Sequence, residues 1–256
     1  MANGVDRSSD RPVYRQIADQ LRNTITRGEF TPGAKLPSER VLMDRYQTSR
    51  VTVRQAIAVL GAEGLIDVEH GRGVFVRSRP PLRRLGRERL GRREREAGKG
   101  AFLSDAMAAG REASAEVEVA RGVAPPEVAE RLHLSQGDQV LIRRRRMLAD
   151  GQPVQLATSY LPLQLVEGTQ IEQADTGTGG TYARLEELGH RLGRFQEDLS
   201  ARMPLPDEAR ALRLGAGVPV IRVVRTAFDE QGAPVEVNEM VLAADRYELT
   251  YMLPAD

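Results

Sequence analysis

The chain has 256 residues, 41% of them apolar and 29% charged, with a formal net charge of +1. It contains no cysteine, which excludes disulfides and thiolate metal sites, and its histidines (His70, His133 and His190) are too scattered in sequence to suggest a metal centre. No apolar run is long enough to span a bilayer, and the opening MANGVDRSSDRP lacks the apolar core of a signal peptide, so a cytoplasmic protein with no membrane partner is expected. The small net charge hides an asymmetry. Residues 11–78 sum to about +4, residues 79–100 to about +6 and residues 101–256 to about −8. A basic front on an acidic back fits one domain for DNA and another for something else.

In chain order, residues 1 to about 11 are polar and expected to be disordered. Tyr14, Ile17, Leu21 and Ile25 recur at helical spacing, and Gly28 ends that helix. Pro32 and Gly33 then turn the chain toward Ser38, which can cap a second helix with an apolar stripe of Val41, Leu42 and Tyr46. The polar turn Gln47-Thr48-Ser49 offers another cap. In the third helix Val53, Ala56, Ile57 and Leu60 predict a buried face, opposite Arg50, Val51, Arg54, Gln55 and Ala58, with Thr52 at its edge. Arginine forks can grip phosphates or guanine edges, and hydroxyls can take phosphate or base contacts, so this face is equipped for DNA. The bland alternative is an amphipathic hairpin with a solvated basic face. Two alternating runs, Leu65–His70 and Val74–Arg77, flank Gly71-Arg72-Gly73 and predict a hairpin with an arginine at its tip. A helix-turn-helix followed directly by a hairpin is a winged helix, here over residues 12–78, whose wing can place Arg72 in or beside the minor groove.

Five ordered blocks carry a family resemblance: Tyr14–Ile17, Gly33–Arg40, Ser49–Ala56, Gly64–Ile66 and Gly71–Val76. Together they resemble the N-terminal domain of GntR-family transcription regulators. The resemblance implies DNA contacts from Arg40, Ser49, Arg50, Thr52, Arg54, His70, Gly71 and Arg72. Most of these are already selected by helix position; Arg40 and His70 rest on the resemblance alone.

Residues 79–100, dense in arginine and glycine with little to bury, are expected to form a solvated basic linker whose arginines can add salt-sensitive affinity for flanking phosphates. From Ala101 to residue 256 the mix is that of a second domain. It holds an internal repeat, Ala120–Val154 and Ala201–Val235, aligned with a one-residue shift. Each half reads as a Pro-started helix (Glu127–Leu132, Asp207–Leu212), a glycine turn, a strand, a D-G or Q-G turn and a return strand (Pro153–Tyr160, Pro234–Leu242). Few parallel crossovers predict an antiparallel sheet with helices on one face, and so an α+β fold class for the two-domain chain. Between the halves, glycines lead into Thr181, which can cap a helix running through Leu185 and Leu188. Such a helix start suits an anion, or is simply a mobile loop with an ordinary cap; it is not a P-loop, because the lysine and following hydroxyl are missing.

Asp150-Gly151-Gln152-Pro153, Ser159–Pro162, Thr181-Tyr182, Gly232–Glu236 and Arg246-Tyr247 resemble the UTRA domain of the HutC subfamily of GntR regulators. This implies a chorismate-lyase-like fold with a small-molecule effector pocket between sheet and loops. Alternation splits Arg143–Arg146 into two pairs on opposite faces. The expected effector residues are Arg144, Arg146, Thr181, Glu236 and Tyr247, with a phosphosugar or other small acid as ligand. The arginine run can equally be solvated edge protection, Glu236 a surface charge, and Tyr247 a core aromatic. The chain thus reads as a DNA-binding repressor without cofactor. Because one winged helix covers a half-site, a homodimer on a near-palindromic double-stranded operator is expected, the C-terminal domain serving for dimerisation. No nucleophile–base pair is legible, which argues against an enzyme. An architectural or plasmid-transfer DNA-binding protein without an effector is the alternative.

Overall fold

The structure, a computed structural model, describes residues 4–69, 71–77, 82–85 and 100–252. The chain divides into two compact units, residues 1–81 with 214–219, and residues 82–213 with 220–256. No described helix is long and apolar enough to cross a membrane.

In the first unit three helices, α1 (Val13–Thr26), α2 (Glu39–Tyr46) and α3 (Arg50–Ala62), precede the antiparallel hairpin β1 (Ile66–Glu69) and β2 (Gly73–Val76). Their shared core contains Ile17, Leu21, Leu42, Tyr46, Val53, Ala56 and Leu60, as the helical spacing predicts. Val41 departs from the predicted stripe and is exposed; Leu42 takes the inward position and, with Tyr46, completes that face. Both predicted caps form, Ser38 accepting from the Val41 amide and Ser49 from the Thr52 amide. Gln47 turns the chain between them at φ 48°. Residues 4–11 make hydrogen bonds to the helical region. The Gln16 side chain accepts from the Asp6 amide at 2.8 Å and donates to the Asp6 and Arg11 carbonyls, while Arg7 reaches the Gln47 carbonyl.

The second unit is built on a six-stranded antiparallel sheet, in the order β4 (Ala113–Val123), β5 (Gln139–Ala149), β6 (Gln152–Pro162), β9 (Pro234–Ala243), β8 (Val220–Asp229) and β7 (Leu192–Arg202). The repeat thus becomes two three-stranded meanders that meet at β6 and β9. In each, a short helix, α5 (Pro126–Leu132) or α8 (Pro206–Ala211), joins the edge strand to the next. The β5–β6 turn holds Asp150 at φ 51° and Gly151 at φ 72°, the two positive values a two-residue hairpin turn requires.

Helices cover both faces of this sheet, not one. Ile142, Val224 and Val237 meet Val128, Ala129 and Leu132 of α5 on one side. Leu141, Leu161 and Ala227, of opposite pleat, meet Val166 of α6 (Leu163–Val166), Ile171 of a following 3-10 turn and Leu185 of α7 (Gly180–Glu187) on the other. Every central strand is therefore buried on both sides, which explains why its alternation is so weak in sequence.

Residues Leu82–Leu85, inside the stretch read as linker, form β3, which pairs in parallel with β10 (Tyr247–Thr250). Leu82 is fully buried beside Phe102 of α4 (Ala101–Ala108), Met147, Met240 and Tyr247. The other linker arginines, Arg79 and those in residues 86–99, lie outside the described residues.

Candidate DNA interface and effector site

The amino end of α3 and the wing gather the predicted DNA residues of the first unit. Arg40, Ser49, Arg50, Arg54, Gly71 and Arg72 are all exposed, and Thr52 is half-buried; His70 lies outside the described residues. Ser49 and Thr52 share a hydroxyl contact of 2.9 Å at the helix start, where backbone N–H groups and the helix dipole favour a phosphate. Arg50 and Arg54 both face Glu39 of α2, at 3.5 and 3.8 Å, with side chains 67% and 71% exposed. Pairs this long and this exposed contribute little to folding, so both guanidiniums are available to an incoming phosphate or base. At the wing tip Arg72 pairs with Glu69 and lies 5.9 Å from the Phe75 ring centroid. Gly71 and Gly73 supply the turn with φ of 76° and 128°.

In the second unit one rung of the sheet is polar from β5 to β7. Register places Val119, Arg143, Ser159, Asn238, Arg225 and Glu197 side by side across the six strands. The next rung is Val117, Arg145, Ala157, Met240, Val223 and Leu199. All these side chains point to the face that α6 and α7 cover, as does Glu236, two residues before Asn238. Arg143, Ser159, Arg225, Glu236 and Asn238 are buried, which for such groups demands partners.

Most of those partners are found. Arg143 donates to the carbonyls of Ile171, Gln173 and Ala174, closing the 3-10 turn onto the sheet. Burial pushes its guanidinium down to about 10, the neighbouring Arg145 adding to the effect. Arg145 donates to the Ser159 hydroxyl, and burial lowers it as well. The Tyr182 hydroxyl of α7 donates to Glu236 at 2.6 Å, and its ring packs on Phe195 at 5.4 Å. Burial, with the Glu236 carboxylate, pushes that phenol well above its ordinary value. Arg225 pairs with Glu197 at 2.7 Å and interacts electrostatically with Tyr182. The carbonyl oxygen of Asn238, in the middle of the rung, has no partner among the described residues.

The sequence-predicted effector residues distribute unevenly around this cluster. Glu236 sits in it. Arg143 and Arg145 share its face, whereas Arg144 and Arg146 point the other way and pair with Glu118 and Glu116 of β4, at 3.4 and 2.7 Å. Alternation alone left open which pair faces the site; pairing of Arg143 with Ser159 and of Arg144 with Thr158 settles the phase. Thr181 is in the first turn of α7 and does not cap it: Gly179, at φ 83°, is the N-cap. Tyr247 is a core aromatic, packed with Leu82 and Phe102, its hydroxyl 3.4 Å from Gln155. Arg246 is structural too, donating to the carbonyls of Pro153, Leu212 and Arg213. Sequence reasoning missed Tyr182, Arg225, Asn238 and Glu197. The repeat held a signal for Arg225 and Asn238, since it places β8 and β9 as counterparts of β5 and β6.

Comparison with known proteins agrees with both units. Residues 13–76 match the gntR family of bacterial regulatory proteins, and residues 108–248 match the UTRA domain. An HTH-type transcriptional regulator of Streptomyces coelicolor is 33% identical, over 94% of this chain and 92% of its own. The HTH-type transcriptional repressor NagR of Bacillus subtilis is 26% identical, over 97% of this chain and 98% of its own. The crystal structure of PhnF from Mycobacterium smegmatis superposes with a TM-score of 0.61 at 25% identity, covering 94% of this chain and 100% of that one. With a winged helix bearing exposed arginines at one end and a UTRA sheet at the other, the chain belongs to the gntR family of bacterial regulators, as a DNA-binding transcription regulator with an effector domain.

Proposed function

We propose that the protein is a repressor that binds a near-palindromic operator as a two-fold dimer and leaves it when a small acid binds the polar rung of the UTRA sheet. Arg50 and Arg54 read base edges or phosphates, Ser49 and Thr52 hold phosphate at the start of α3, and Arg40, Gly71 and Arg72 flank them, with His70 beside the wing. The repressor reading has the support of the NagR likeness.

The observation that carries the effector reading is a charge imbalance. Among the described residues, Arg84, Arg143, Arg145 and Arg225 meet Glu197 and Glu236 on this covered side of the sheet, with Asp175 acting on Arg143 as well, so that positive charge is in excess. An anion balances it at short range in a site of low dielectric, where charge-assisted hydrogen bonds are strongest. Arg145 supplies donors, and Glu236, Asn238 and Tyr182 supply acceptors and a hydroxyl for polar groups on the ligand, which fits a phosphosugar or a hydroxy acid. Arg144 and Arg146 have no part in it.

Fluorescence anisotropy on the DNA upstream of the protein's own gene tests this, at two salt concentrations with competitor DNA and a panel of phosphosugars and small acids. Binding that survives competitor and is weakened by one acid is the expected result. Binding that salt and competitor abolish, with no acid having any effect, makes the protein an architectural DNA binder instead.

A further inference from the structure

The arginine-rich stretch after the wing holds one arginine that is not solvated. Arg84 of β3 has a side chain with 0% exposure, although its neighbour Arg83 is 62% exposed beside Glu248. Arg84 donates to both carboxylate oxygens of Glu197, at 2.5 and 3.2 Å, and to the Tyr251 hydroxyl at 3.1 Å. Tyr251 in turn donates to Glu197 at 2.7 Å. The same carboxylate accepts from Arg225 at 2.7 Å. Three side chains, Arg225, Glu197 and Arg84, therefore form one unbroken chain of charge-assisted hydrogen bonds. It starts on the polar rung and ends on the strand that follows the wing.

Only residues 77–81 separate the end of β2 from the start of β3, and two of them are prolines. Glu197 is shared between two guanidiniums, so any ligand that draws Arg225 toward itself changes how the carboxylate divides between Arg225 and Arg84. We propose that Arg84 is the positioning residue through which the occupied rung acts on the DNA-binding domain: it holds β3 in place through Glu197, and the ligand alters that hold by competing for Arg225. This rests on the effector reading above, and adds to it the route by which the signal leaves the site. The ligand works through this route only if its affinity differs between the two arrangements of β3.

Hydrogen exchange on the full chain, read by mass spectrometry, tests the route at both ends. Arg225→Met removes the guanidinium that shares Glu197 with Arg84. It is expected to speed exchange in residues 82–85 by about threefold or more, the scale of a transmitted coupling. Arg84→Met is expected to do the same in residues 220–229, while Arg83→Ala, on the same strand but outside the chain, changes neither segment. If Arg225→Met alters only its own strand, the proposal is overturned, whatever the ligand. The second arm measures melting temperature and operator affinity with inorganic phosphate and with glucose 6-phosphate. Arg84→Met should keep the wild-type thermal shift with the acid yet lose its effect on the operator, and Arg84→Lys, which keeps the charge, should restore part of it. Should neither acid shift the wild type, the effector reading fails for these acids, and the exchange arm still decides the route. An Arg84→Met protein that binds acid and releases DNA as the wild type does sinks the proposal.

Discussion

The two units use arginine in opposite ways. In the winged helix, Arg50, Arg54 and Arg72 stand on the surface, loosely faced by Glu39 and Glu69, over a core that is wholly apolar. In the UTRA unit Arg84, Arg143 and Arg225 are buried, each held by partners fixed on other elements. A surface arginine is cheap to keep and free to change partner, which suits a ligand as long and variable as DNA. A buried one must be compensated before any ligand arrives, and the folding of the sheet then depends on its partners. The same side chain is thus left open to a ligand in one unit and built into the fold in the other.

The largest effect that can break this comparison is expected at Glu197. Replacing it with glutamine removes the carboxylate that Arg84 and Arg225 share, at a cost of about 3–5 kcal/mol of unfolding free energy in urea titrations. A change of a few tenths would show that the buried pairs do not need it. The pH dependence sharpens the same point. Burial raises the Glu197 carboxyl, but Arg225 and Arg84 outweigh it and hold the group at about 2, against an ordinary 4.5. A depressed acid contributes stability in full above its unfolded value and loses it as the pH falls through the folded one. The wild type should therefore lose stability between about pH 4.5 and pH 2, and Glu197→Gln should lack that part of the acid limb.

In the winged helix the expectation reverses. Arg54→Ala should weaken operator binding by about 5- to 150-fold, if it reads a base, with melting unchanged to within a degree or two. A comparable loss of stability would place Arg54 with the buried class. Arg72→Ala should lower the slope of log affinity against log salt by about one, as for a single phosphate contact. The smallest effect belongs to Arg144→Ala. Its exposed pair with Glu118 is worth less than about 1 kcal/mol, and acid binding should be unaltered. An acid-binding defect in this variant would restore Arg144 to the effector site.

Legibility followed the same division. α1, α2 and α3 were readable because each is amphipathic and exposed on one side, so period and burial coincide at Val53, Ala56, Ile57 and Leu60. The repeat disclosed the hairpin at the heart of each meander but not the edge strands β4 and β7, and Asp150-Gly151 marked the turn of the first. What the sequence concealed was the phase of Arg143–Arg146, because β5 is covered on both faces and both pairs of arginines find partners, one in the rung and one on β4. β3 was hidden for a related reason: Leu82 and Arg84 look like linker residues until β10, some 165 positions later, supplies the strand they pair with.

By itself, then, the sequence determined the two-domain plan, the outward basic face of α3 and the two central hairpins of the UTRA sheet, all of which depend on local periodicity and turn chemistry. Tertiary structure alone decided that Glu236, Tyr182, Arg225, Glu197 and Arg84 are neighbours. They come from α7 and four strands, and cross-strand register, which no local pattern encodes, sets which buried charge meets which partner.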